Sequence, residues 1–282
     1  MKIGIAFAGG GIKGAAHIGV LKALQENGIE VGYVGGTSIG SMAAALYAMG
    51  YTPSEMYKLF KYYSKSLMDF DLKYLLLDGR EKNKILAEGL MSGENIEKAI
   101  KDCAEYKKIK NITDLKMPIV IPTVDIIENK KYVFTNHEFN KKFSEKDYIN
   151  NAPIWTAVRA SASYPGMYAP TKFKHHKFVD GGIIDNLPVE EVKKLGAKKV
   201  LAINFGSESS VNPKSFVEVV SKSIDLMFEQ RTQRQKEEAD FTLELDMPDA
   251  SVFSVRKFDY CYKIGYDAAI REMKKIKKIF KD

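Results

Sequence analysis

Between Ile3 and Met49 the chain passes twice through the same order of elements: an apolar strand, a glycine-rich turn and a helix. Ile3 to Ala8 is followed by Gly9-Gly10-Gly11 and then by a helical pattern from about Ala15 to Asn27. In that pattern Ile18, Leu21 and Leu24 recur on one face and Gly28 marks the stop. Val31 to Val34 is followed by Gly36-Thr37-Ser38-Ile39-Gly40 and by a helix from about Ser38 to Met49. Strands that each run straight into a helix bury their apolar residues in a largely parallel sheet covered by helices. The expected class is α/β.

The remaining chain extends this alternation. Pro53 opens a helix with Met56, Leu59 and Phe60 on one face, and Ser92 is expected to cap another running to Cys103. Ile119 to Ile126 and Lys131 to Thr135 read as a hairpin around Glu128-Asn129. Trp155 to Ser163 reads as a small-residue helix ended by Pro165, and Lys172 to Val179 as a second hairpin turning at His175-His176. Lys199 to Asn204 and Phe241 to Leu245 are further strands, separated by a polar helix from about Pro213 to Ala239. A basic helix runs from about Tyr260 over 260–282. With 282 residues, 45% of them hydrophobic, and no linker or internal repeat, one domain over 1–282 is expected. Residues 61–92 lose clean periodicity and read as a cap or lid inserted into it, with Tyr62, Tyr63, Leu67, Met68, Phe70 and Leu75 to Leu77 as its apolar side chains.

Several classes drop out. Val31 to Ser54 carries no charge and is long enough to span a bilayer, but its apolar residues fall into two blocks around a glycine-rich hinge, so strand, turn and buried helix fit better. Two cysteines, Cys103 and Cys261, cannot build a disulfide framework or a cysteine-based zinc site. The N-terminus lacks the apolar stretch of a secretory signal, and a reducing, cytoplasmic setting is expected.

The chemistry concentrates in three places. A serine between two glycines at a strand-to-helix turn, Gly36 to Gly40, is lifted to the tip of a strained bend at a helix N-terminus. The plain alternative is an N-cap serine. The loop Gly9-Gly10-Gly11-Ile12-Lys13-Gly14 frees backbone N–H groups for an anion, either a dinucleotide pyrophosphate or the oxyanion of an acyl-transfer intermediate. The dinucleotide reading needs an acid at the end of the second strand, where Ser38 stands instead, so an oxyanion hole is preferred. A nucleophilic serine needs a base, yet the histidines are only His17, His137, His175 and His176, and none follows His176. His17 reads as a core residue, His137 as solvated, and His175-His176 as a turn; that pair is the one histidine candidate retained. Asp180-Gly181-Gly182 ends a strand, where a carboxylate can enter a site and accept the serine proton, though as a tripeptide it reads equally as a surface turn.

Taken in order, these blocks and a fourth, Ala160-Ser161-Ala162-Ser163-Tyr164-Pro165 continuing to Pro170, resemble the patatin-like phospholipases, in particular their bacterial branch. The resemblance runs from the first strand to about Val200. It implies a three-layer α/β/α sandwich with a mainly parallel central sheet, and a lipid acyl hydrolase of phospholipase A or lysophospholipase type. It further implies Ser38 as nucleophile, Asp180 as base, and an oxyanion hole from Gly9, Gly10, Gly11 and Ile39. Lys13, Gly14, Gly36, Gly40, Gly181 and Gly182 would support these groups, with lysine at position 13 where many members have arginine. No cofactor is expected, and no His, Asp and Glu set is spaced in sequence like a calcium or zinc site. The net charge of +7 fits a lipid substrate and a peripheral place on an anionic membrane surface better than nucleic acid, for which no recognition fold is evident. The 260–282 helix, with Arg271, Lys274, Lys275, Lys277, Lys278 and Lys281, would either lie on that surface or pack its apolar side on the core. Two alternative functions remain: an idle, membrane-associated regulatory scaffold, or a nucleotide-binding enzyme using the Gly9–Gly14 loop.

Overall fold

The computed structural model describes residues 2–67, 88–139, 147–206, 212–214, 216–247 and 257–280. Nine strands form one sheet: β1 (Ile3–Phe7), β2 (Val31–Gly36), β3 (Ile119–Asp125), β4 (Lys130–Thr135), β5 (Tyr148–Ile149), β6 (Thr171–Phe173), β7 (His176–Asp180), β8 (Val200–Phe205) and β9 (Phe241–Leu245). Their order is β5-β4-β3-β2-β1-β8-β9, with β7 added on β3 and β6 on β7. The pairs β2/β1, β1/β8, β8/β9 and β2/β3 are parallel, whereas β3/β4, β3/β7 and β6/β7 are antiparallel.

Alternation along the central strands builds two cores. Ile3, Ile5 and Phe7 of β1, with Leu201 and Ile203 of β8, face one side. Ala6, Ala8, Val200 and Ala202 face the other, with Val189, Val192 and Leu195 against them. The first layer contains α1 (Ala15–Glu26), α2 (Ile39–Ala48), α3 (Pro53–Leu67), α4 (Glu94–Tyr106), α5 (Ile154–Ser161) and the last helix. Over the second lies α7 (Val189–Lys194), reached through the short α6 (Gly182–Asp185). The helix α8 (Phe216–Glu237) connects β8 to β9, and α9 (Phe258–Phe280) closes the described chain. This is the expected α/β/α sandwich. The uncharged Val31–Ser54 stretch is β2, the turn, α2 and the start of α3, and no helix among the described residues is long and apolar enough to cross a membrane.

Several local expectations change. α9 turns Cys261, Gly265, Ala268, Met273, Ile276 and Phe280 into the core, so its apolar side is occupied by packing, while Lys263, Lys274, Lys275 and Lys278 are exposed and the half-buried Lys277 donates to Asn27 Oδ1. The approach to α1 is close enough that a Cβ on Gly265 would lie 2.0 Å from the Ala16 carbonyl oxygen, and one on Gly19 would lie 2.1 Å from that of Tyr262. Lys61 to Leu67 continue α3, while 68–87, most of the expected cap, lie outside the described residues. Ser92 stands one residue further out than a cap, with Gly93 at the N-cap and the Glu94 N–H donating to the Ser92 hydroxyl at 3.2 Å. The second hairpin turns at Lys174-His175, where Lys174 has φ 55°, while His176 belongs to β7 and pairs with Phe173. His137 is half-buried against Phe139 rather than solvated.

Candidate active site

β1 and β2 are parallel neighbours with Phe7 opposite Gly36, so the two glycine turns leave the sheet side by side. Ligand sites of open α/β sheets form at such strand ends. Ser38 has φ 55° and ψ −125°, a backbone conformation that residues with a side chain seldom adopt. Its surroundings hold it there. The Gly40 N–H donates to the Thr37 carbonyl at 2.8 Å, and the Ser41 N–H and hydroxyl donate to the Ser38 carbonyl at 2.9 and 2.6 Å. The Ser38 N–H donates to Ser161 Oγ at 3.1 Å, and the Thr37 hydroxyl donates to the Asp185 carbonyl at 2.7 Å. Close packing explains the flanking glycines: a Cβ on Gly36 would lie 2.1 Å from the Gly40 oxygen, and one on Gly40 would lie 2.4 Å from the Phe7 oxygen.

The first glycine loop is seated against this elbow. A Cβ on Gly9 would come within 3.1 Å of Ser38 Cβ, and one on Gly14 within 2.3 Å of the Ile39 side chain. Gly10 is covered by the Phe205 ring, and Gly11 takes φ 57°. The Gly9 amide is engaged: it donates to Asn186 Oδ1 at 3.2 Å and to the Asn186 carbonyl at 3.3 Å. Gly10 and Gly11 follow in the same loop, with Ile39 opening α2. Lys13 is buried and lines the same cavity.

Asp180 ends β7 with no solvent exposure. Its N–H donates to the Ser163 carbonyl at 3.0 Å, and its Oδ1 accepts the Gly182 N–H at 2.8 Å. Oδ2 is buried without a full hydrogen bond. The Ser38 hydroxyl lies near enough to favour the carboxylate, yet outside ordinary hydrogen-bond geometry. Burial lifts the Asp180 pKa to about 7; the Ser38 hydroxyl and the Gly182 N–H oppose that rise, and the Asp225 charge adds to it. A Cβ on Gly181 would strike the Pro122 oxygen at 2.3 Å, and one on Gly182 the Phe228 ring at 2.5 Å.

Two groups of residues escaped functional reading from the sequence. Ser161 receives the Ser38 N–H and donates to the Pro122 carbonyl at 2.7 Å, while the Ser163 carbonyl receives the Asp180 N–H. The end of α5 thus ties the elbow and the aspartate strand to one point. Asn186 ties the glycine loop to α8 through its Nδ2, which donates to Thr232 Oγ1 at 3.3 Å. The small, polar Ala-Ser-Ala-Ser run was the available signal for the first group; Asn186 had none.

A cavity of about 500 Å³ opens over Ser38. Its apolar lining includes Ile39, Met42, Phe60, Ile96, Met167, Phe205, Leu226 and Phe228. Polar and charged side chains line it too, among them Asn204, Lys222, Asp225, Glu229, Lys236, Glu244 and Asp246. The histidines stand apart from it. His17 is buried between Phe7 and Phe205, its Nε2 at 2.9 Å from the Ala8 carbonyl, and burial lowers its pKa to about 4. His175 and His176 meet Glu128 beside the β6–β7 turn, a grouping that spacing along the sequence did not anticipate.

The sequence pattern of the family described as Patatin-like phospholipase matches residues 5–193. "Lysophospholipase NTE1" of Candida albicans is 32% identical over 227 residues, covering 78% of this chain and 14% of that protein. "Patatin-like phospholipase domain-containing protein 6" of Mus musculus is 32% identical over 226 residues, covering 78% of this chain. The chain therefore spans only a small part of the length of such relatives. Among solved structures, VipD from Legionella pneumophila superposes with a TM-score of 0.51 at 15% identity, covering 96% of this chain and 66% of that one. Human GIVD cytosolic phospholipase A2 superposes with a TM-score of 0.50 at 11% identity, covering 99% of this chain and 58% of that one. Those two likenesses concern the fold, a mainly parallel sheet between helical layers. The length of the family match, the identity to the curated relatives and a serine elbow beside a glycine loop place the chain: it belongs to the patatin-like phospholipase family.

Proposed function

We propose that this domain is a serine lipid acyl hydrolase that cleaves carboxylic esters of phospholipids or lysophospholipids through a Ser38–Asp180 dyad. The observation that carries the reading is a serine on a strained elbow beside a buried aspartate whose Oδ2 lacks a full hydrogen bond, beneath a cavity lined by both apolar and charged side chains. Ser38 Oγ attacks the ester carbonyl as Asp180 Oδ2 takes its proton, and the amides of Gly10, Gly11 and Ile39 receive the developing oxyanion. The alcohol product leaves with the proton, giving an acyl-Ser38 ester. Water deprotonated by Asp180 then releases the fatty acid. A carboxylate with its pKa raised to about 7 is a far better base than an ordinary aspartate.

The cavity volume of about 500 Å³ falls in the range of small-molecule sites, roughly 300–1,000 Å³, and suits one acyl chain better than two. A lysophospholipid is therefore the favoured substrate, in keeping with the names of the curated relatives. Membrane contact would be peripheral. Exposed Val219, Leu226 and Met227 project from α8, with Leu226 at the cavity, and the net charge of +7 favours an anionic surface. The test combines fluorophosphonate labelling with fatty-acid release from lysophospholipid, for wild type, Ser38→Ala and Asp180→Asn. Labelling confined to Ser38 and loss of release in both variants are expected. Labelling at another residue, or release that survives Ser38→Ala, would refute the dyad.

A further inference from the structure

At the end of β7 remote from Asp180, Glu128, His175 and His176 each offer a ligand atom, and these atoms lie within 4.8 Å of one another. Glu128 comes from the β3–β4 turn and the histidines from the β6–β7 hairpin, so tertiary structure alone gathers them. His175 Nε2 is 3.7 Å from Glu128 Oε1, and with His176 Nδ1 held by Asp125 it is Nε2 that this second imidazole would offer. The two rings, on adjacent residues, lie with centroids 3.9 Å apart instead of on opposite faces of the hairpin.

The surrounding residues hold this group in place. His176 is buried among Tyr132 and Phe178, and its Nδ1 sits 2.6 Å from Oδ2 of Asp125, a carboxylate with no solvent exposure. Asp125 Oδ1 in turn accepts the N–H groups of Ile127 and Lys177. The Tyr132 hydroxyl donates to Glu128 Oε2 at 2.6 Å, which turns Oε1 toward the imidazoles. A buried carboxylate on one nitrogen of a histidine, and a hydroxyl steering a carboxylate, are the outer partners that orient metal ligands. The neighbouring cations have acids of their own: Lys130 pairs with Asp147, and Lys177 with Glu88.

We propose that Glu128, His175 and His176 form a binding site for a divalent transition metal of zinc type, supported by Asp125 and Tyr132. Two imidazoles and one carboxylate suit Zn²⁺, Ni²⁺ or Cu²⁺ and disfavour Ca²⁺ and Mg²⁺, which prefer oxygen-rich sets. Three protein ligands leave a fourth position for water or an exogenous ligand. The site is four residues along β7 from Asp180, roughly 13 Å at about 3.3 Å per residue, so its effect is to clamp the two hairpins that anchor that strand rather than to touch reacting atoms.

The test is calorimetric titration of tag-free protein with ZnCl₂ and, separately, CaCl₂, together with the visible spectrum after CoCl₂ addition. Stoichiometric zinc binding, a tetrahedral cobalt spectrum and no calcium response are expected. His175→Ala and Glu128→Gln, both at exposed positions, should each weaken zinc binding at least about tenfold while the far-UV spectrum stays unchanged. Ser38→Ala, in the proposed dyad, should bind zinc as wild type does. No zinc binding, or binding indifferent to His175→Ala and Glu128→Gln, would overturn the site and leave an ion-paired clasp of imidazoles and carboxylates.

Discussion

A single carboxylate with a raised pKa links activity and stability at this site. Asp180 ionises near pH 7 in the native state and near ~3.9 when unfolded. The native protein therefore keeps a proton that the unfolded chain has lost, and the associated stability is complete below about pH 4 and lost as pH rises through about 7. Asp180→Asn, which cannot ionise, should gain in Tm relative to wild type between about pH 5 and pH 8, read by thermal melts across that range. Activity runs the other way, because the base works only when ionised: kcat/KM for lysophospholipid hydrolysis should rise with pH to a plateau above about 7. An acid limb near pH 4 would show that burial does not raise the carboxyl of the base in the native protein. Asn186 is a positioning residue on the same scale, since it holds Gly9 and reaches α8. Asn186→Ala should lower kcat by roughly 10²-fold with a smaller change in KM, the pattern of a displaced oxyanion loop, while fluorophosphonate labelling of Ser38 slows in step.

Among the elements, the elbow and the last helix show how glycine identity follows from packing. The two glycines around Ser38 and the pair between α1 and α9 lack a side chain because a backbone carbonyl occupies the place where the Cβ would be. Gly265→Ala should push α9 from α1 and destabilise the fold by about 1–3 kcal/mol, measured by urea denaturation, with Lys274→Gln as an exposed control of small effect. The basic amphipathic pattern of this helix was legible in the sequence, but periodicity cannot tell whether an apolar stripe meets protein or lipid. Here Cys261, Met273, Ile276 and Phe280 meet the core. The second hairpin was also legible, though not its turn: a shift of one residue moves His176 from an open bend into a paired strand against Asp125.

For the whole molecule, two buried groups set opposing responses to acid. His17 is held neutral by burial with its pKa at about 4, against ~6.5 unfolded. Its stability contribution is present above about pH 6.5 and lost as pH falls toward 4, while that of Asp180 grows over the same interval. His17→Gln retains a donor for the Ala8 carbonyl and cannot ionise, so the Asp180 contribution is left unopposed and its Tm should rise more steeply than that of wild type as pH falls from about 6.5 to 4. The charge of +7 acts at longer range. With the apolar side of α9 buried, vesicle binding should depend on anionic lipid and fall steeply with salt, since the Debye length is about 8 Å at 0.15 M. Binding to neutral vesicles undiminished by salt, in a flotation assay, would point to insertion of apolar residues instead.

What the sequence alone determined is local and periodic: two strand–turn–helix units, alternating core faces along β1 and β8, a serine between glycines, and an aspartate followed by two more. These are legible because backbone sterics and side-chain periodicity act over a few neighbouring residues. Tertiary structure decided the rest. It brought Asp180 beside Ser38 across well over a hundred residues, tied the Gly9 amide to Asn186, and used Ser161 to join the elbow to β3. It also gathered Glu128, His175 and His176 from two hairpins. Each of these depends on the sheet order β4-β3-β2-β1, with β7 added on β3, and long-range strand pairing leaves no periodic mark on the chain.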